Sequence, residues 1–115
     1  MNEPLHHKHC VPCEGGVKPL TEAEIEPLLK NIKAWQVHTN TSISKKYSFV
    51  DFKHAITFVN EVADIAEFEG HHPDINVHGW NKVTITLSTH AIKGLSGNDF
   101  IMAAKIDQVL KDEEN

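Results

Sequence analysis

The chain is poor in the features that mark several special classes of protein. It has two cysteines, Cys10 and Cys13, in 115 residues, too few for the disulfide framework of a small secreted domain. No stretch approaches the ~20 consecutive apolar residues that span a bilayer. The opening MNEPLHHKHC has neither the apolar core nor the small-residue cleavage site of a signal peptide, so a cytoplasmic protein is the expectation. Positive charge is in short supply: 11 Lys and Arg against 16 Asp and Glu leave −5, which argues against nucleic acid or an anionic membrane as partner. There is no Gly-rich phosphate loop, no H-E-x-x-H helix and no G-x-S-x-G elbow, so phosphoryl transfer, zinc proteolysis and serine hydrolysis have no support. Neither a solenoid-period repeat nor a low-complexity tract occurs.

What the chain has in excess is histidine. There are nine, and His71, His72, His78 and His90 fall within twenty residues of each other. A composition of 40% apolar and 23% charged residues suits one globular domain able to bury a core without staples. Residues 1 to about 18 lack periodicity and hold Pro4, Pro12, Gly15 and Gly16, which reads as a flexible or loosely docked arm before a domain over 19–115.

Within that domain Thr21 and Glu24 form a capping box for a helix over about 21–32, with Pro27 a warning of a kink or a shorter helix. Trp35–His38 and residues 43–49 read as a hairpin, the second strand alternating Ile43, Lys45, Tyr47 and Phe49. Asp51 caps the longest helix, about 52–69, with Phe52, Ile56, Val59, Ala63 and Ala66 as its expected apolar stripe. Gly70 suits a left-handed C-terminal residue, and Pro73 prevents continuation. Ile75–Val77 and Lys82–Thr89 are strand candidates, the latter alternating Val83, Ile85 and Leu87 with Thr84, Thr86 and Ser88. Ser96 and Asp99 resemble a capping box for a last helix over about 98–111, its inner face expected at Ile101, Ala104 and either Gln108 or Val109–Leu110. The order α-β-β-α-β-β-α with mostly short connections predicts an α+β fold: a four-stranded antiparallel sheet with three helices on one face.

Three groups of residues can carry chemistry. The strongest is Glu67 followed, after one helical turn, by His71-His72-Pro73. Imidazoles with a pKa near 6.5 can give and take protons at neutral pH, and Pro73 constrains the bend needed to aim both rings at one ligand. The plainer alternative is two surface imidazoles favoured by a helix C-terminus. The second is His90, at a strand end beside Ser88 and Thr89, with Asp99 opening the next helix. The third is His7, His9, Cys10 and Cys13. Two thiols and neighbouring imidazoles are a weak candidate for Zn²⁺, but no second ligand pair follows. Because this arm precedes the first recognisable helix, it is expected to be dispensable for catalysis.

Taken as one line, the residues run Glu67, three residues, His71-His72-Pro73, six residues, Trp80, nine residues, His90, eight residues, Asp99. This pattern resembles the signature of the pterin-4a-carbinolamine dehydratases. Asn81-Lys82-Val83, Leu87-Ser88-Thr89-His90, Gly94-Leu95-Ser96, Asp51-Phe52 and Trp35 extend the likeness over about residues 20–110. The arm and the phrase Asn98-Asp99-Phe100-Ile101-Met102-Ala103-Ala104 look like the bacterial branch. One departure is Gly70, where animal members carry an acid.

The resemblance implies the α+β fold above, assembled as homodimer or homotetramer. It implies a hydro-lyase that converts 4a-hydroxytetrahydropterin to quinonoid dihydropterin without metal or organic cofactor, recycling the pterin of phenylalanine hydroxylase. Carried over residue by residue, it implies His71 and His90 as acid/base groups and His72 as mainly a binding group. Glu67 would tune an imidazole, and Asp99 would fix His90 or the loop. Trp35, Pro73, Ser88 and Thr89 would border the pterin. Animal members also stabilise a transcription factor as a dimerisation partner, so the competing expectation is a non-enzymatic binding role through the long helix.

Overall fold

The computed structural model describes residues 4–11 and 17–113. Helix α1 spans Glu22–Leu29, strand β1 Gln36–His38, β2 Ser42–Ser48, α2 Phe52–Glu69, β3 Asp74–His78, β4 Lys82–Leu87 and α3 Gly97–Glu113. Single 3₁₀ turns occur at Leu5–His7 and His90–Ile92. All strand pairs are antiparallel, in the order β1-β2-β4-β3, and the expected α+β architecture is present.

Local chemistry sets the boundaries. The capping box at Thr21 is complete: the Glu24 amide donates to the Thr21 hydroxyl, and the Thr21 amide to the Glu24 carboxylate. The helix that follows is shorter than expected, ending at Leu29, two residues after Pro27. Asp51 accepts the His54 amide at 2.8 Å to open α2, and Gly70, at φ 67°, closes it. The two hairpins reverse through left-handed residues, Thr39–Asn40 and Gly79–Trp80.

The core lies between one sheet face and the helices. Ile43 and Tyr47 of β2 and Val83, Ile85 and Leu87 of β4 point inward, the period-2 pattern that a one-sided sheet requires. The stripe that α2 buries is Ala55, Phe58, Val62 and Ala66. The expected stripe was rotated: Phe52 is 53% exposed, Ala63 is exposed, and Ile56 and Val59 are half-buried. Apolar residues cover more than one face of this helix, so spacing alone does not choose between them. In α3 four consecutive residues, Phe100–Ala103, are buried, and Ala104 only partly. The sheet and α2 cover one side of α3 and the 3₁₀ turn Leu5–His7 packs on it as well, so the helix start is apolar nearly all round, as a doubly covered helix should be.

Gly94 pairs with Thr89 through an isolated antiparallel bridge. A methyl group there would stand 2.6 Å from Cβ of Pro19, well inside contact distance. Gly94→Ala is therefore expected to lower stability by about 1–3 kcal/mol, the usual range for overpacking. Thermal or urea denaturation checks this; an unchanged midpoint would mean that the segment around Pro19 is free to move aside.

Candidate active site

One end of the sheet, where α2 finishes, β4 finishes and α3 begins, holds an open cavity of about 510 Å³. That volume is within the range of small-molecule sites. His71, His72 and His90 all line it, with Ser88 and Thr89 beside them. The fold explains the convergence. The left-handed turn at Gly70 releases the chain from α2 and delivers the histidine pair, while the 3₁₀ turn after β4 presents His90.

Asp99 anchors the arrangement from beneath. Its side chain is fully buried and sits 2.7 Å from Nε2 of His71. It also accepts the Thr89 hydroxyl at 2.8 Å and the Ser96 amide at 3.0 Å. A carboxylate only accepts, so Nε2 of His71 is the donor and Nδ1 is left as the nitrogen free to exchange protons. The Ser96 hydroxyl bonds Thr89 at 2.7 Å, not a helix amide, so only the acidic half of the expected capping box forms. Asp99 thus fixes the loop and His71. It does not hold His90, whose ring makes no hydrogen bond to a described residue; only its carbonyl is used, by the Lys93 amide at 3.2 Å.

Glu67 pairs with the other imidazole, 2.6 Å from Nε2 of His72, and both side chains are largely exposed. Such an exposed pair adds little to stability but restrains the ring.

Other sequence-derived candidates lie elsewhere. Trp35 is buried in the core, donates its indole N–H to Asp107 at 2.9 Å and packs edge-on against Tyr47. Asp107 lies eight residues beyond Asp99 on α3, about 12 Å along a helix rising 1.5 Å per residue, so Trp35 is a structural residue and not a wall of this cavity. Pro73 turns the chain into β3 and does not line the cavity. Thr89 does line it, but its hydroxyl is committed to Asp99 and Ser96. Trp80 of the signature is 63% exposed in the β3–β4 turn, at the far end of β4.

The sequence pattern did not reveal the contribution of the arm. Cys10 and Val11 line the cavity, together with Glu69 and Asn98, so the arm is docked against the site although it precedes the signature. The Cys10 thiol is pushed up to about 12 by burial and then by the negative charge of Glu69, which makes it a poor nucleophile at neutral pH. Burial works to raise the Glu69 pKa, but the Cys10 amide, His9 and Lys105 more than offset this and hold it below the ordinary carboxylate range. Cys13 lies outside the described residues. Among the described residues no group of three or more His, Cys, Asp or Glu side chains is placed to hold a metal ion, and His9 is taken up by Glu69 at 2.9 Å.

An α+β sheet whose open end gathers three imidazoles over a buried carboxylate defines a small-molecule site built for proton transfer. Comparison with known proteins makes the class specific. Residues 18–109 match the family described as Pterin 4 alpha carbinolamine dehydratase. A relative from Rubrobacter xylanophilus, provisionally named for that activity, is 43% identical over 105 residues, 91% of this chain and 97% of the relative. One from Rickettsia canadensis, named likewise, is 47% identical over 104 residues, 90% of this chain and 94% of its own. A crystal structure of a transcriptional coactivator/pterin dehydratase from Brucella melitensis superposes with a TM-score of 0.74 at 33% identity, covering 80% of this chain and 98% of that one. The chain belongs to the pterin-4a-carbinolamine dehydratase family. A pterin dehydratase-like RuBisCO assembly factor of the α-carboxysome shares the fold, with a TM-score of 0.56 at 24% identity over 66% of this chain and 88% of its own. No helix among the described residues is long and apolar enough to cross a membrane.

Proposed function

We propose that the protein dehydrates 4a-hydroxytetrahydropterin to quinonoid dihydropterin in the cytosol, returning the cofactor used by phenylalanine hydroxylase. The observation that carries this reading is the buried Asp99 carboxylate 2.7 Å from His71, behind a cavity that His71 shares with His90. In the reaction the 4a-hydroxyl takes up a proton and leaves as water, N5 loses its proton, and the N5 electron pair becomes the new C4a–N5 double bond. Two positioned proton carriers are sufficient for this, with no covalent intermediate. His71, aligned by Asp99, and His90 divide the two transfers. His72, restrained by Glu67, orients the ring, and Ser88 bonds its edge. The test is a crystal structure with a dihydropterin soaked in. The expected result is the ring in the cavity with N5 and C4a facing His71 and His90; a ring bound elsewhere would overturn the assignment.

A homo-oligomer extends this reading. Lys45 and Lys46 lie on β2, an interior strand, and guard neither edge of the sheet. The longer of the two edges is β3, where Asp74 is the one Asp, Glu, Lys or Arg, and edges so lightly guarded favour pairing. Light scattering at micromolar concentration should give at least twice the 12.9 kDa chain mass; a monomer would contradict it. The outward residues of α2, with Phe52 53% and Phe68 78% exposed, favour a second reading as a stabilising partner of another protein. A binding role alone, however, has no use for the full set of histidines and acids.

A further inference from the structure

The first residues of the chain do not stand apart from the cavity. Three side chains fasten them. The Asn98 amide clasps the backbone of Val11 from both sides: the Val11 N–H donates to its Oδ1 at 3.0 Å, and its Nδ2 donates to the Val11 carbonyl at 2.6 Å. The Glu69 side chain, 3% exposed, accepts the Cys10 amide at 2.7 Å and is faced by His9 at 2.9 Å and Lys105 at 3.5 Å. Lys105 also donates to the His6 carbonyl at 2.9 Å. Apart from the His9–Glu69 pair, these bonds use backbone groups of the arm and fix its path independently of side-chain type. Both anchors are next to catalytic candidates in sequence: Glu69 precedes His71 by two residues, and Asn98 precedes Asp99.

We infer that Cys10 and Val11 form a wall of the substrate cavity and that Asn98 and Glu69 are positioning residues that hold it there. The inference rests on the dehydratase reading and adds what that site requires of the arm. The imidazoles and Ser88 supply the polar contacts of the cavity. Cys10 and Val11 supply an apolar surface, suited to the flat face of a heterocycle or to an alkyl substituent beside N5. The Val11 side chain is 67% exposed, so its size can change without disturbing the core.

The test measures binding of a stable 6-substituted 7,8-dihydropterin by fluorescence titration, alongside steady-state dehydration. It uses the wild type, Asn98→Ala, Val11→Trp and a chain starting at Val17, each checked by circular dichroism. Losing the apolar wall is expected to weaken dihydropterin binding about tenfold and to raise KM more than it lowers kcat. Asn98→Ala is expected to weaken binding in the full chain and to add nothing in the shortened one, the non-additivity of a residue that acts through the arm. Val11→Trp, which keeps both anchors, should disfavour the 6-substituted ligand relative to the unsubstituted one. A wild type that binds and dehydrates, with all three variants binding equally well, overturns this inference alone. A wild type that neither binds nor dehydrates overturns it together with the dehydratase reading.

Discussion

Asp99→Asn is expected to lower the dehydration rate by about 10²-fold or more, the scale at which a positioned general acid or base contributes. The carboxylate accepts three hydrogen bonds, from His71, Thr89 and the Ser96 amide. An amide of the same shape brings its own N–H donors to that place, so His71 must either turn Nε2 into an acceptor by moving its proton to Nδ1 or leave a buried donor facing another donor. A buried donor left unmatched costs about 1–3 kcal/mol, so a lower thermal midpoint accompanies the lost rate. The kinetic effect has a separate signature. If Asp99 sets the tautomer of His71, the ¹⁵N shifts of that ring change in the variant, while those of His90, which Asp99 does not touch, stay the same. Wild-type turnover with a lowered midpoint would reduce Asp99 to a fold-stabilising residue.

His71→Ala and His90→Ala should each slow dehydration by about 10²–10⁴-fold, down to a floor set by the spontaneous reaction, in which the N5 lone pair already assists departure of the hydroxyl. Their stabilities should differ. His90 is exposed in a 3₁₀ turn, and exposed substitutions stay within about 0.5 kcal/mol. His71→Ala strands the buried Asp99 without its partner and should cost more. Stopped-flow rates paired with denaturation curves separate the two effects. Full turnover in both variants, with native midpoints, would remove these residues from the mechanism.

The legible parts of the sequence were those governed by local chemistry. Asp51 and Gly70 placed both ends of α2, because a side-chain cap and a left-handed residue act within one turn. The alternation of Val83, Ile85 and Leu87 marked the buried face of β4 for the same reason. Contacts between distant parts of the chain were not legible. His71 and Asp99 are 28 residues apart, and their bond depends on how α3 docks; the family resemblance implied that Asp99 fixes His90 or the loop, and no local pattern pointed to His71. Trp35 looked like a stacking wall, but only the docking of α3 shows that its indole N–H is used by Asp107. The arm was hardest to place. Apart from the His9–Glu69 pair, its bonds to Glu69 and Asn98 go through backbone amides and carbonyls, which leave no pattern in side-chain type.

The central claim is that this cavity carries out two proton transfers on a pterin carbinolamine. The most direct measurement is stopped-flow decay of chemically generated 4a-hydroxytetrahydropterin with the protein present well below substrate concentration. The predicted result is many turnovers per chain at a rate far above the spontaneous one, with the excess greatly reduced in His71→Ala. Decay at the spontaneous rate with the folded wild-type protein present would contradict the account.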